Sequence, residues 1–448
     1  MNFAEFKQLV IARATEMGLK EYELYYQAVE STSVKAFQHE INEFTGSNEG
    51  GVCFRCIVNG KMGYASTEEL SEVQARAIVE KAADNAAVLE SEEQVFLCDG
   101  GKQYCKVERE AYQLPTTDGL ITKVLATQEQ MYKAHPAVID GCSTQGFSEC
   151  SRIAIVNSRG LDVSSEVKSA GLLSLAVVSD GKEMANDYQV KLGALETIDS
   201  EALTKKAAET AIGKLGGEAA PTGQYPVVFD PEAMSDLLQT FSSVFSSEAA
   251  QKGLSRFAQQ EGEIVASAAV TVMDDPFHPD SPFPMAFDAE GCPTQAKAVV
   301  EKGKLNTLLY NLKTAAVAGK ETTGNASKAG YDAPVRVRPF TMYVAAGELT
   351  EEQLLKKAGN GVYINFLGGL HAGANPVSGD FSLQSAGFMI ENGIKTRAVK
   401  SFTVAGNFYD LLKNIEAVAN NMKLPMAMGM TNFGAPSVLV QGLSIAGK

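Results

Sequence analysis

Apolar residues near the start of the chain recur at helical spacing. Phe3, Phe6, Leu9, Val10, Ala14 and Met17 share one face, which predicts an amphipathic helix within residues 1–20. The pattern then changes to runs rich in Val, Ile, Tyr, Phe and Thr at 22–30, 33–44 and 51–59, which predict strands. Turn-forming residues separate them: Ser31-Thr32, the run Gly46-Ser47-Asn48-Glu49-Gly50, and Asn59-Gly60. Thr67 or Ser66 is placed to cap a helix that begins at Glu68-Glu69-Leu70 and runs to Leu89. The same order follows again. A helix is predicted at 116–133, strands at 138–145, 150–157, 162–168 and 171–179, and a closing helix at 200–215. The turn Asn157-Ser158-Arg159-Gly160 parallels Asn59-Gly60, and the polar stretch 97–113 links the two segments.

Gly and Pro concentrate at 213–223, which reads as the linker to a different texture. Residues 225–229 predict a strand, and Asp230-Pro231 supplies an N-cap and a first-turn proline for a helix. That helix carries Met234, Leu237, Leu238, Phe241, Val244 and Phe245 as a buried stripe, with Asp236, Gln239, Thr240, Ser243 and Ser247 on its other side. None of the second set reads as a strong metal ligand or a good base at neutral pH. Hairpin signals stand at 301–304 and at Glu391-Asn392-Gly393, short helices at 351–358 (capped by Thr350) and 407–418, and a last strand at 437–445. The expected fold class is α+β: two αβββα-like units at 1–96 and 114–216, then a larger β-rich mixed C-terminal domain at 224–448.

The balance of 45% hydrophobic and 21% charged residues in 448 is that of an ordinary globular chain. With 39 Lys and Arg against 54 Asp and Glu, the net charge is −15, which argues against direct nucleic-acid binding. No uninterrupted apolar run reaches the roughly 18 residues of a membrane-crossing helix. The N-terminal pattern lacks a basic start and apolar block, and the seven scattered cysteines read as reduced thiols, so a cytoplasmic location is expected.

Chemistry is sparse. The four histidines, His39, His135, His278 and His371, form no H-E-x-x-H pair. Cys53-Phe54-Arg55-Cys56 is a single C-x-x-C in a strand, where residues three apart face opposite ways, so two small buried side chains is the favoured reading. Ser165-Glu166-Val167-Lys168 matches S-x-x-K but lies in a strand-like run and is set aside. The run from Asp274-Asp275 through His278 to Asp280 reads as a solvated acidic loop before it reads as a ligand site. Gly368-Gly369-Leu370-His371-Ala372-Gly373 and Val377-Ser378-Gly379-Asp380-Phe381-Ser382 are the most glycine-rich region, which suits close backbone approach either by a ligand or by a neighbouring strand.

From Val377-Ser378-Gly379-Asp380-Phe381-Ser382 through Gly387-Phe388-Met389-Ile390-Glu391-Asn392-Gly393 to Ala405-Gly406-Asn407, the chain resembles the T-G-D-[YF]-S…G-F-x-x-E-N-G…I-A-G-N signature of the TldD/PmbA family. These proteins were once labelled modulators of DNA gyrase. The likeness runs over nearly the whole chain, including Pro226–Phe229 and Phe287-Asp288-Ala289-Glu290-Gly291, and is strongest to the TldE (PmbA) branch. The family's TldD branch is a zinc peptidase with L-L-H-E-x-x-x-H on the helix after that strand and a C-terminal cysteine ligand. Here Leu237-Leu238 match the leucines, but Gln239, Thr240 and Val244 stand at the histidine, glutamate and histidine positions, and the last cysteine is Cys292. These side chains do not make a zinc site.

The resemblance therefore implies a non-catalytic subunit with no cofactor of its own. Zinc is expected in a TldD-like partner, and the complex would act on unfolded or extended peptides in proteolysis or peptide maturation. A homodimer is the expected alternative state for the isolated chain. Strand addition is the physical means by which a peptide would be held, and Gly368, Gly369, His371, Gly373, Ser378, Gly379 and Asp380 are the candidate contacts. Two other readings stay open: a stand-alone peptidase using His278, His371 and Asp274/Asp275, and a regulator that binds DNA gyrase.

Overall fold

The computed structural model describes residues 1–90, 93–107, 113–425 and 431–448, so residues 108–112 of the polar link at 97–113 lie outside the described ones. Helix α1 (Phe3–Glu16) is closed by a capping box between Asn2 and Glu5. Strands β1 (Tyr22–Phe37), β2 (Glu40–Val58) and β3 (Lys61–Thr67) follow. This arrangement corrects two expected turns. Ser31 and Thr32 lie inside β1, opposite Ser47 and Gly46 of β2. The chain reverses instead at Gln38-His39, where φ is 48° and 70°. Ser and Thr pair well across strands, and Gly50 permits a close approach, since a Cβ there would stand 2.6 Å from the Gln27 carbonyl oxygen. Because the chain is still extended at Thr67, helix α2 (Glu72–Val88) is capped by Ser71, not by Ser66 or Thr67.

Helix α3 (Thr117–Lys133) matches the helix predicted at 116–133, with Thr116 as its cap and not its first residue. The four strand runs expected next fuse into two long strands, β4 (Ser143–Asn157) and β5 (Asp162–Ser179). The polar strand β6 (Met184–Leu192), unanticipated in the sequence, and helix α4 (Ser200–Ile212) complete this segment. The sheet order is β3-β2-β1-β4-β5-β6, so the two αβββα runs each supply half of one sheet, joined along β1 and β4. Alternation along the strands then sorts the side chains. Leu24, Val52, Phe54 and Cys56 face α1 and α2, while Tyr25, Cys53, Ile153 and Ile155 face Met285, Phe287 and Phe340 of the C-terminal half. On this second side Glu23 and Arg55 form a buried ion pair at 2.7 Å.

The stretch 213–223 is more than a linker, for β7 (Glu218–Ala219) pairs with Val399-Lys400. Strand β8 (Gly223–Phe229) then leads into α5 (Pro231–Phe241). Seven strands lie in the order Ile415–Val418, Val438–Ala446, β8, Gly361–Gly368, Asp380–Glu391, Ile394–Asn407, β7. Val438–Ala446 also pairs with Ile394–Asn407, which closes five of these strands into a ring. A second, five-stranded sheet carries Val272–Asp274 at its centre. Lys302-Gly303 and Asn392-Gly393 make the expected hairpins with positive φ at both residues of each turn. The helix expected over 407–418 stops at Asn414, and Ile415–Val418 joins the sheet instead. The molecule is thus mixed α+β with a β-rich C-terminal half. Among the described residues no helix is long and apolar enough to cross a membrane.

Candidate functional site

Helix α5 begins where β8 leaves the ring. Asp230 caps it by accepting the Ala233 amide at 2.8 Å. Met234, Leu237, Leu238 and Phe241 are fully buried, and Phe241 stacks on Phe408 with ring centroids 4.6 Å apart. The helix predicted to continue through Phe245 ends at Phe241, and residues 242–245 tighten into a 3-10 turn. The cause is local. Thr240 Oγ1 donates to the Asp236 carbonyl at 2.7 Å and Ser242 Oγ to the Gln239 carbonyl at 2.9 Å, and such side-chain bonds compete with the helical ladder. Val244 and Phe245 stay in the core. Ser247, read onto the polar side, is buried and donates to Thr314 Oγ1 at 2.8 Å.

The polar side of α5 opens on a cleft of about 1800 Å³. One wall is β5 and β6 with the end of α4; the facing wall is α5, the loop around Pro282 and the strand Gly361–Gly368. The S-x-x-K string lies on the first wall as plain strand. Among the described residues strand β6 is an edge strand, paired only with β5, and its residues Asn186–Leu192 line the cleft along its length. Tyr188 reaches across, its hydroxyl donating to Glu232 Oε1 at 3.4 Å. Phe366 is 44% exposed on the opposite wall, an apolar surface left open to the cleft.

Burial shapes the acids of this cleft. It pushes Asp236 up to about 7, with Glu232 adding like-charge repulsion. Asp236 thus keeps its proton to a higher pH than an ordinary aspartate. Burial also raises Asp230 to about 7 against the opposing Ala233 amide, and raises Glu232. Glu351 goes the other way. Burial would raise it, but hydrogen bonds from Lys395, Ser437 and Tyr363 outweigh that and lower it.

The three positions aligned with the zinc motif do not converge. Gln239 is exposed on the cleft wall, the Thr240 hydroxyl is engaged by its own helix, and Val244 is fully buried in the 3-10 turn. Among the described residues no group of three or more His, Cys, Asp or Glu side chains is arranged to hold a metal ion. An amide, an engaged hydroxyl and a buried isopropyl group do not fit zinc.

The glycine-rich segment sits beside the cleft. Gly368 follows the cleft-lining Leu367, and Gly369 (φ 74°) opens a single helical turn, Leu370–Gly373, that presents His371 to solvent. A Cβ on Gly373 would lie 2.4 Å from the Ser382 carbonyl oxygen, so the neighbouring strand requires this glycine. Gly379 packs on the Tyr409 ring, and Asp380, lowered by hydrogen bonds with Asn407 and Ser378, accepts Asn407 Nδ2 at 2.7 Å.

The acidic run at 274–280 is not simply a solvated loop. Asp274 ends a central strand, is fully buried, pairs with Lys297 at 3.0 Å and accepts Asn325 Nδ2 and the Phe340 amide. His278 Nδ1 accepts the Asp280 amide, and its ring meets Tyr343 edge-on at 5.0 Å. Cys53 and Cys56 face different cores. The cleft residues that sequence reasoning missed are Tyr188, Glu232 and Phe366. They come from three separate segments, and no local pattern marks them.

Comparison with known proteins extends this picture. The PmbA/TldA metallopeptidase C-terminal domain matches residues 222–447, domain 1 of the same family matches 22–87 and its central domain 113–215. A metalloprotease of Methanothermobacter thermautotrophicus is 28% identical over 405 residues, covering 88% of this chain and 87% of the relative. A metalloprotease PmbA homologue of Haemophilus influenzae is 25% identical, covering 99% and 96%. A Thermotoga maritima crystal structure, described as a modulator of a DNA gyrase, superposes with a TM-score of 0.90 at 32% identity, covering 99% of this chain and all of that one. TldE from Thermococcus kodakarensis shares the fold, with a TM-score of 0.87 at 22% identity over 98% and 99% of the two chains.

Proposed function

Since the chain belongs to the PmbA/TldA metallopeptidase family, we propose that it is the TldE-type, non-catalytic subunit of a two-chain peptidase. One observation carries the reading. The helix on which a TldD-type relative would grip zinc reaches the cleft here with Gln239 exposed, Thr240 bonded to its own backbone and Val244 buried. The zinc and the hydrolytic step belong to a TldD-like partner, and this chain contributes a surface that holds an unfolded or extended peptide. The open edge of β6 along the cleft supports that role, because backbone hydrogen bonds to an added strand give affinity without strong sequence demands. The stand-alone reading loses support at Asp274, whose carboxylate is committed to Lys297, Asn325 and Phe340.

The test is reconstitution. The purified chain is incubated with zinc and an unfolded peptide, alone and after mixing with a TldD-like chain carrying H-E-x-x-x-H, and zinc is measured on each subunit. Cleavage is expected only in the mixture, with zinc on the partner. Stoichiometric zinc and peptide cleavage by this chain alone would overturn the proposal.

A further inference from the structure

Two thiols lie outside the cleft chemistry and close to each other. Cys98 belongs to the segment that leaves the first half of the six-stranded sheet, and Cys292 to a turn in the C-terminal half, 194 residues later; their sulfurs are 2.8 Å apart and both residues are buried. Each is held from its own side. The Cys98 carbonyl accepts Asn157 Nδ2 at 2.8 Å, and the neighbouring Leu97 and Asp99 accept from the Arg159 guanidinium. The Cys292 amide donates to Asp288 Oδ1 at 2.9 Å, which also takes the Glu290 amide, and Asp288 Oδ2 takes the Ala326 amide. Tyr104 then ties the same segment to the same turn through its hydroxyl and the Gly291 carbonyl at 2.8 Å. The other described thiols have no such partner sulfur within bonding range.

We propose that Cys98 and Cys292 form a reversible disulfide that fastens the 93–107 segment to the 288–292 turn. The oxidant is a small disulfide such as oxidised glutathione. The Cys98 thiol gives up its proton and attacks it, and the glutathione thiolate it expels takes up that proton. The Cys292 sulfur then displaces the second glutathione, its proton passing to the departing thiolate. Two cysteine thiols are oxidised, one glutathione disulfide is reduced to two thiols, and the atoms balance. The contact with Cys98, burial and the Asp288 carboxylate all hold the Cys292 thiol protonated, and the burial of both sulfurs shields the bond once it is made. The bond would fix Phe287 in place; this residue lines the cleft one position from the Asp288 hub, which links the redox state to the cleft wall.

The full-length chain is refolded in a buffer of reduced and oxidised glutathione, and the native chain is incubated in parallel in the same buffer. Folded protein is isolated, alkylated under denaturing conditions and digested without reductant. A peptide linking Cys98 to Cys292 is expected in at least one sample, with faster migration on a non-reducing gel and a melting temperature that falls by several degrees when reductant is added. Cys98→Ser and Cys292→Ser should each abolish the linked peptide and the reductant response. Recovery of Cys98 and Cys292 as separately alkylated thiols in both samples, or linkage of either to another cysteine, overturns the proposal. Should a serine variant fail to fold, the peptide map of the wild-type chain decides alone.

Discussion

A carboxylate that loses part of its hydration prefers to keep its proton, and Asp236 shows what that does to stability. Its folded value, about 7, lies above the roughly 3.9 of an unfolded aspartate. The contribution of the protonated form is therefore complete below about pH 4 and is lost as pH rises through about 7. Asp236→Asn carries no charge at any pH. It is expected to leave stability near pH 4 almost unchanged and to raise the melting temperature at pH 8. Equal shifts at both pH values, read by thermal denaturation, would show that burial is not what perturbs this group. Much of this was hidden in the sequence. The position of Asp236 on the polar face of α5 follows from helical spacing, but the cleft it lines is walled by β5, β6 and the loop around Pro282, which lie far away in the chain. Asp274 was obscured in the same way, because its partners Lys297, Asn325 and Phe340 arrive from three later segments.

Elements set by local chemistry were legible. The caps Asp230 and Thr350 and the Asn-Gly turns at 59–60 and 392–393 sit where the sequence puts them. Where polar residues fill a strand, as at 31–32, 46–50 and throughout β6, pairing with a neighbour overrode the local signal. The two Asn-Gly turns differ in a testable way. Gly60 and Gly393 both have positive φ, but a Cβ on Gly60 meets nothing, whereas on Gly393 it would stand 2.7 Å from the Lys356 Cα. Gly60→Ala should cost about 1 kcal/mol, the strain of a left-handed alanine, and Gly393→Ala distinctly more. Chemical denaturation of the two variants ranks them, and equal losses would refute the packing argument. Strand β6 invites a second measurement. If an unfolded peptide adds to its edge, hydrogen exchange of the 186–192 amides should slow on peptide addition, while β3, the opposite edge of the sheet, should not respond. Equal slowing at both edges would mark non-specific binding.

At the scale of the molecule, the seam between the six-stranded sheet and the C-terminal half has an apolar cluster around Tyr25, Ile155 and Phe287 and, beside it, the charged groups Glu23, Arg55, Lys328, Asp288 and Glu290. Burial and the adjacent Asp288 carboxylate push Glu290 up to about 8, with Arg55 opposing. Arg55→Leu would strand Glu23 in that seam and should cost about 3–5 kcal/mol. The double change Glu23→Leu with Arg55→Leu should recover most of the loss, as read from denaturant midpoints. A wild-type midpoint for the single variant would remove the ion pair from any structural role. The broad α+β organisation could be read from element order, but the shared sheet and the closed ring could not, because both depend on pairings between distant strands. The ring has one more consequence. Its closing strand, Val438–Ala446, is made last and touches three partners. A nascent chain arrested on the ribosome before residue 438 holds every strand of the six-stranded sheet yet has a gap in its barrel, leaving one side of β8 and residues 403–405 of Ile394–Asn407 unpaired. Until the closing strand is released, those edges stay open to pairing with another chain.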